Sequence, residues 1–64
     1  MAIPVSIVTI TDGVSELKID VGPGYRVYYS QRGSRLLLLL IGGDKSTQQN
    51  DIARAILLAR NYKE

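Results

Sequence analysis

The sequence predicts an α+β domain, a four-stranded antiparallel β-meander followed by one C-terminal α-helix, in the order ββββα. Three observations carry that expectation. Turn-forming residues punctuate the chain at Asp12-Gly13, Gly22-Pro23-Gly24, Arg32-Gly33 and Gly42-Gly43. The segments between them are short and rich in Val, Ile, Leu and Tyr, which suit a pleated, half-buried surface. Beyond Gly43 the apolar residues recur at helical rather than alternating spacing.

The first strand is expected near 4–11. Pro4 has no N–H to give to a ladder, so this strand belongs at a sheet edge or starts late. Asp12-Gly13 then supplies the positive φ that a two-residue hairpin turn needs. The second strand, near 14–21, alternates clearly, with Leu17, Ile19 and Val21 on one face and Glu16, Lys18 and Asp20 on the other. In the third, near 25–31, Tyr25, Val27 and Tyr29 oppose Arg26, Tyr28 and Ser30. The fourth, near 35–41, does not alternate: Leu36 to Ile41 are all apolar, so both of its faces call for cover. The helix, about 47 to 62, can cover part of one face, and another copy of the chain or a different protein the other. A capping box of Ser46 and Gln49 would open that helix. Ile52, Ala55, Ile56 and Ala59 form its apolar stripe, with Asp51 and Arg54 paired on its outer side.

With 64 residues the chain forms a single domain, 1–64. A chain of this length buries only about 60% of the surface it exposes when unfolded, so outside support is expected. There is no cysteine and no histidine. Disulfides and the commonest zinc sites are thereby excluded, leaving oligomerisation as the expected support and a reducing, cytoplasmic compartment as the expected home. The net charge of +2 suits an anionic partner without requiring one. The start, MAIPVSIVTITDG, is not built like a signal peptide, and the apolar runs fall far short of the ~20 residues of a membrane span. No membrane partner is expected.

Two groupings could carry chemistry. The first is the polar face of Glu16, Lys18, Arg26 and Tyr28, with Lys45 at the exit of the adjacent strand. Arginine offers a planar fork to a phosphate, lysine a point charge, and tyrosine a ring to stack or a proton to exchange. Such a set could bind a phosphodiester and stabilise added negative charge. The competing reading is a solvated sheet face with cross-strand charge pairs. The second grouping is Gly42-Gly43-Asp44-Lys45-Ser46-Thr47, a glycine turn entering a helix N-terminus. It could hold an anion on free N–H groups or be only a tight strand-to-helix turn. It lacks the longer frame of a phosphate-binding loop. Without Cys or His the usual nucleophile arrangements are absent, the acidic residues show no metal-ligand spacing, and no cofactor is expected.

The stretch GVSELKIDVGPGYRVYYSQRG, followed by LLLLLIGGDKSTQQNDIARA, strongly resembles the addiction-module killer proteins of the RelE/ParE superfamily of bacterial toxins. The likeness runs from about Gly13 to the C-terminus. It implies the toxin component of a type II toxin–antitoxin module, a small cytoplasmic protein neutralised by a cognate antitoxin encoded alongside. RelE-like members are endoribonucleases that cut mRNA in the ribosome, using the RNA 2′-OH as nucleophile, with basic and tyrosine side chains in place of histidines. ParE-like members poison DNA gyrase. By resemblance, Arg26 matches the arginine that holds the scissile phosphate, and Lys18 matches one of two strand lysines. Glu16 falls where the RelE type has the other lysine. Lys45 stands in for an arginine near the start of the last helix.

The candidate catalytic residues are therefore Lys18, Arg26, Tyr28 and Lys45, with mRNA and the ribosome as partners. Family members begin with a strand and a helical hairpin where this sequence has MAIPVSIVTITD. That hairpin packs on one face of the sheet. Without it Leu17, Ile19, Val27, Tyr29 and one side of the leucine run would lie bare, and a homodimer or higher oligomer is expected to bury them. Two other readings fit the same residues. One is a catalytically inactive toxin remnant that binds antitoxin or itself, and the other is a gyrase poison.

Overall fold

The computed structural model describes residues 5–11, 13–22, 24–43 and 45–62. Pro4, Asp12, Pro23 and Asp44, which entered the turn and edge arguments, lie outside the described residues. The chain forms β1 (Val5–Thr11), β2 (Val14–Ile19), β3 (Tyr25–Arg32) and β4 (Arg35–Gly42), then a 3-10 turn (Lys45–Thr47) and helix α1 (Gln48–Asn61). The strands make one antiparallel sheet in the order β1-β2-β3-β4, the expected meander closed by one helix. β1 is an edge strand and begins at Val5.

Local chemistry sets the boundaries. β2 stops at Ile19, short of its expected end, and Val21 opens a tight turn in which the Gly24 N–H donates to the Val21 carbonyl at 3.1 Å. Arg32 pairs with Arg35, leaving Gly33 and Ser34 as a two-residue loop. Gly33 has φ +62°, a left-handed conformation that residues with a Cβ enter at a cost.

α1 lies on the face that carries Val14, Glu16, Arg26, Tyr28 and Ser30. Ala55 and Ala59, one turn apart, are buried against Val14 and Tyr28, and their small size lets the helix backbone approach the sheet. Ile52 and Ile56 flank that contact on the helix, and Ile10, Leu39 and Leu40 flank it on the sheet. The sequence presented this face as polar, exposed to solvent or to a ligand; it is instead the covered face. Two β-bulges explain the difference. Register shifts between Thr9 and Thr11, and opposite Tyr28 and Tyr29, leave Ile10 and Leu39 without a partner in the ladder. Each bulge puts two successive residues on the helix side, Ile10 with Thr11 and Leu39 with Leu40, where strict alternation would send one of each two to the other face.

The leucine run is divided by its bulge. Leu37 and Leu40 lie opposite Ser30 and Tyr28 on the helix side. Leu36, Leu38 and Ile41 lie on the other side, at 58–65% of full exposure. The sheet is thus covered on one face and open on the other, and the molecule is thin, with Cα extents of 36 × 27 × 14 Å. Among the described residues no helix is long and apolar enough to cross a membrane.

Candidate functional site

Lys18 faces Arg26 across β2 and β3, and Glu16 faces Tyr28 one pair along. The antiparallel register therefore brings three of the four candidate catalytic residues to one patch of sheet, together with Glu16. What fills the space above Glu16, Arg26 and Tyr28 is α1, while Lys18 lies beyond it. Arg26 Nε lies 3.5 Å from Glu16 Oε1, with the two side chains only 10% and 7% exposed. Glu16 Oε2 accepts a hydrogen bond of 3.1 Å from Gln48 Nε2 in the first turn of α1. The carboxylate thus joins a sheet arginine to the helix.

Tyr28 is completely buried, and among the described residues its hydroxyl, like Arg26 Nε, has no hydrogen-bond partner. Burial first, then the Glu16 and Asp51 carboxylates, push the Tyr28 hydroxyl above the ordinary phenol value, and Arg26 partly offsets them. A phenol so placed keeps its proton at neutral pH. It is a poor base.

Lys18 and Lys45 sit outside this buried group. The Lys18 ammonium lies 3.6 Å from Asp20, with both side chains around half exposed. An exposed pair of that kind holds its cation by only about 0–1 kcal/mol, which leaves the amine free to meet an anion. Lys45 is exposed in the 3-10 turn. No pocket opens among the described residues to seat a substrate beside either.

The entry to α1 departs from the sequence expectation. The N-cap is Thr47, one residue beyond Ser46, and it makes no side-chain capping bond; the capping box does not form. Thr47 Oγ1 instead donates to Asp51 Oδ2 at 3.0 Å. Asp51 is therefore not an outward partner for Arg54. It leans over the sheet, where a Cβ built on Gly42 would meet Asp51 Oδ2 at 2.5 Å and Tyr28 Cε2 at 3.6 Å. Gly42 serves close approach between strand and helix rather than anion binding.

Sequence reasoning missed Gln48 and gave Asp51 and Gly42 other roles, an outward ion pair and an anion-binding turn. A signal for Gln48 was present: the stripe Ile52, Ala55, Ala59 extends backward at helical spacing to Gln48, placing it on the buried side. The far end of α1 is fastened as well. Arg32 Nη2 donates to the Ala59 carbonyl, and the guanidinium lies 5.6 Å from the Tyr62 ring centre. That bond satisfies one of the carbonyls a helix end leaves without an internal partner.

The chain is similar to an uncharacterized protein of Haemophilus influenzae, 54% identical over 52 residues. The matched region takes in 81% of this chain and 52% of that protein, so the chain spans about half the length of the curated relative it matches. No family model matches the chain, and no solved structure matches it.

Proposed function

We propose that the chain is the sheet-and-helix part of a cytoplasmic toxin of the RelE/ParE kind, and that it acts by binding protein partners rather than by cutting RNA. Supporting the class is the resemblance of GVSELKIDVGPGYRVYYSQRG and GGDKSTQQNDIARA to addiction-module killer proteins, together with the ββββα order. On that resemblance the first partner is the cognate antitoxin.

One observation carries the choice of binding over cleavage, namely the buried Glu16–Arg26 pair beneath α1. The arginine that would hold the scissile phosphate is already closed by a carboxylate. Exchanging that carboxylate for RNA means lifting a helix fastened at Gln48 and Ala59 and leaving Glu16 without its cation. A buried charge deprived of its partner costs about 3–5 kcal/mol. RNA cleavage remains the second reading, favoured by the convergence of Lys18, Arg26 and Tyr28 on adjacent strands.

The test is primer extension on a reporter mRNA in a reconstituted translation reaction, with and without the chain. The expected outcome is an unchanged pattern of 5′ ends and undisturbed translation. New ends that require both the chain and active ribosomes would overturn the binding reading in favour of the nuclease.

A further inference from the structure

Charge is distributed unevenly over the described residues. Their carboxylates are all engaged: Glu16 with Arg26 beneath α1, Asp20 with Lys18, and Asp51 with the Thr47 hydroxyl. Arg35, Lys45 and Arg54 are exposed, and among the described residues none of them meets a counter-charge. For Arg54 the cause is the inward lean of Asp51, which withdraws the partner that i,i+3 spacing would supply. From Ile52 to Asn61 the helix has no other acidic residue.

The outer side of α1 combines this positive charge with bare apolar surface. Leu57 is 59% exposed and Leu58 44%. Leu57 lies three residues after Arg54 and three before the exposed Arg60, so both guanidiniums neighbour it on the helix surface. The sheet adds a further cation at the last turn. Arg35 faces Arg32 directly across the β3–β4 hairpin, and Arg32 donates to the Ala59 carbonyl. Two like charges directly opposite one another weaken a sheet, and an anion beside Arg35 would relieve that repulsion.

We propose that the outer side and last turn of α1 dock an acidic amphipathic helix of a partner protein, its carboxylates meeting Arg35 and Arg54 and its apolar stripe covering Leu57 and Leu58. This rests on the reading that the chain acts by binding protein partners, and it supplies the chemistry of one. Charge sets the sign of the partner. Cations without counter-charge select an anion, and a planar guanidinium takes a carboxylate as a fork. The leucines set its kind. A nucleic acid stacks its bases on aromatic rings and would leave both leucines in water, and Tyr62 already lies against the Arg32 guanidinium. An anionic lipid surface takes a helix with a broad apolar face, whereas here arginines flank a single leucine. A helix with carboxylates beside an apolar stripe of three- and four-residue spacing matches both components. None of Lys18, Arg26, Tyr28 and Lys45 belongs to this surface.

Fluorescence anisotropy at low salt and micromolar concentration tests the proposal. The probe is a labelled peptide of about 20 residues, long enough to form a helix, with leucines at three- and four-residue spacing and glutamates beside them. The comparison probes are the same peptide with lysine for glutamate, a single-stranded RNA, and phosphatidylglycerol vesicles. The acidic peptide is expected to bind saturably and more tightly than the other three. Arg35→Gln and Arg54→Gln should each weaken it about threefold, the loss of one exposed ion pair. Leu57→Ala should weaken it about fivefold. Gln31→Glu lowers the net charge as much as either arginine variant but lies on the other side of the sheet, and it should leave binding within about twofold. Unchanged circular dichroism of these exposed-site variants separates a lost contact from a lost fold. Absence of acidic-peptide binding would overturn the proposal, as would tighter binding of RNA or vesicles. So would peptide binding that ignores Arg54→Gln and Leu57→Ala, or that falls equally with Gln31→Glu. New 5′ ends in the primer-extension reaction would sink the protein-binding reading whatever the peptide does. No peptide binding with unchanged 5′ ends would remove this surface and leave that reading in place.

Discussion

At the scale of single residues, the arrangement around Glu16, Arg26 and Tyr28 is decided by desolvation. A carboxylate and a guanidinium taken out of water need one another, and their separation of 3.5 Å under a helix meets that need. The residue types were legible in the sequence, and so was their convergence, because alternation in two adjacent strands fixed which side chains shared a face. Their burial was not legible. Glu16, Lys18, Arg26 and Tyr28 have the same alternating pattern whether water, RNA or a helix lies above them. Tyr28 offers a direct readout. Its phenol is held above the usual value, so the folded chain keeps a proton that the unfolded chain would release. Stability from this group is therefore full below the unfolded value of ~10 and is lost as pH rises through the higher folded value. An alkaline titration of tyrosine absorbance should show a late step accompanied by unfolding. That step should be missing in Tyr28→Phe.

At the scale of elements, the strands and the helix were readable to within two residues because glycine turns and periodicity both report on local backbone preference. The docking of α1 was harder to read. It depends on the bulges at Ile10 and Leu39, which leave no local mark in a run such as Leu36 to Ile41. It depends also on Gly42, where strand and helix come close enough that Asp51 occupies the space of a Cβ. Gly42→Ala should destabilise the chain by about 1 kcal/mol, since the obstructing atom is the end of a side chain tied to Thr47 rather than backbone. Adding Asp51→Ala should return much of that loss. Urea denaturation of the two variants against wild type, at equal chain concentration, checks both statements.

At the scale of the whole molecule, the fold is one sheet with two different sides. One side is sealed by α1 through Gln48, Ala55, Ala59 and the Arg32 contact with the last turn. The other is an uncharged apolar surface. Its existence was legible from Leu17, Ile19, Val27 and Tyr29 together with a leucine run too apolar for one covered face. Which side the helix takes was not legible, because the covered side looked the more polar of the two. The outcome separates the features that a single pattern seemed to join. Glu16, Arg26 and Tyr28 lie under the helix beside Val14, Ala55 and Ala59, and the apolar residues of the other side stay exposed.

The most direct test of this account is the unfolding free energy of Arg26→Ala, beside that of the double variant Glu16→Leu with Arg26→Met, at one fixed chain concentration. If the pair fastens the helix, Arg26→Ala loses about 3–5 kcal/mol because Glu16 is left buried and unpaired, and the double variant recovers most of that loss. A loss for Arg26→Ala within about 0.5 kcal/mol of wild type is what a surface substitution gives. It would contradict the account and return Arg26 to the solvent, free to hold a phosphate.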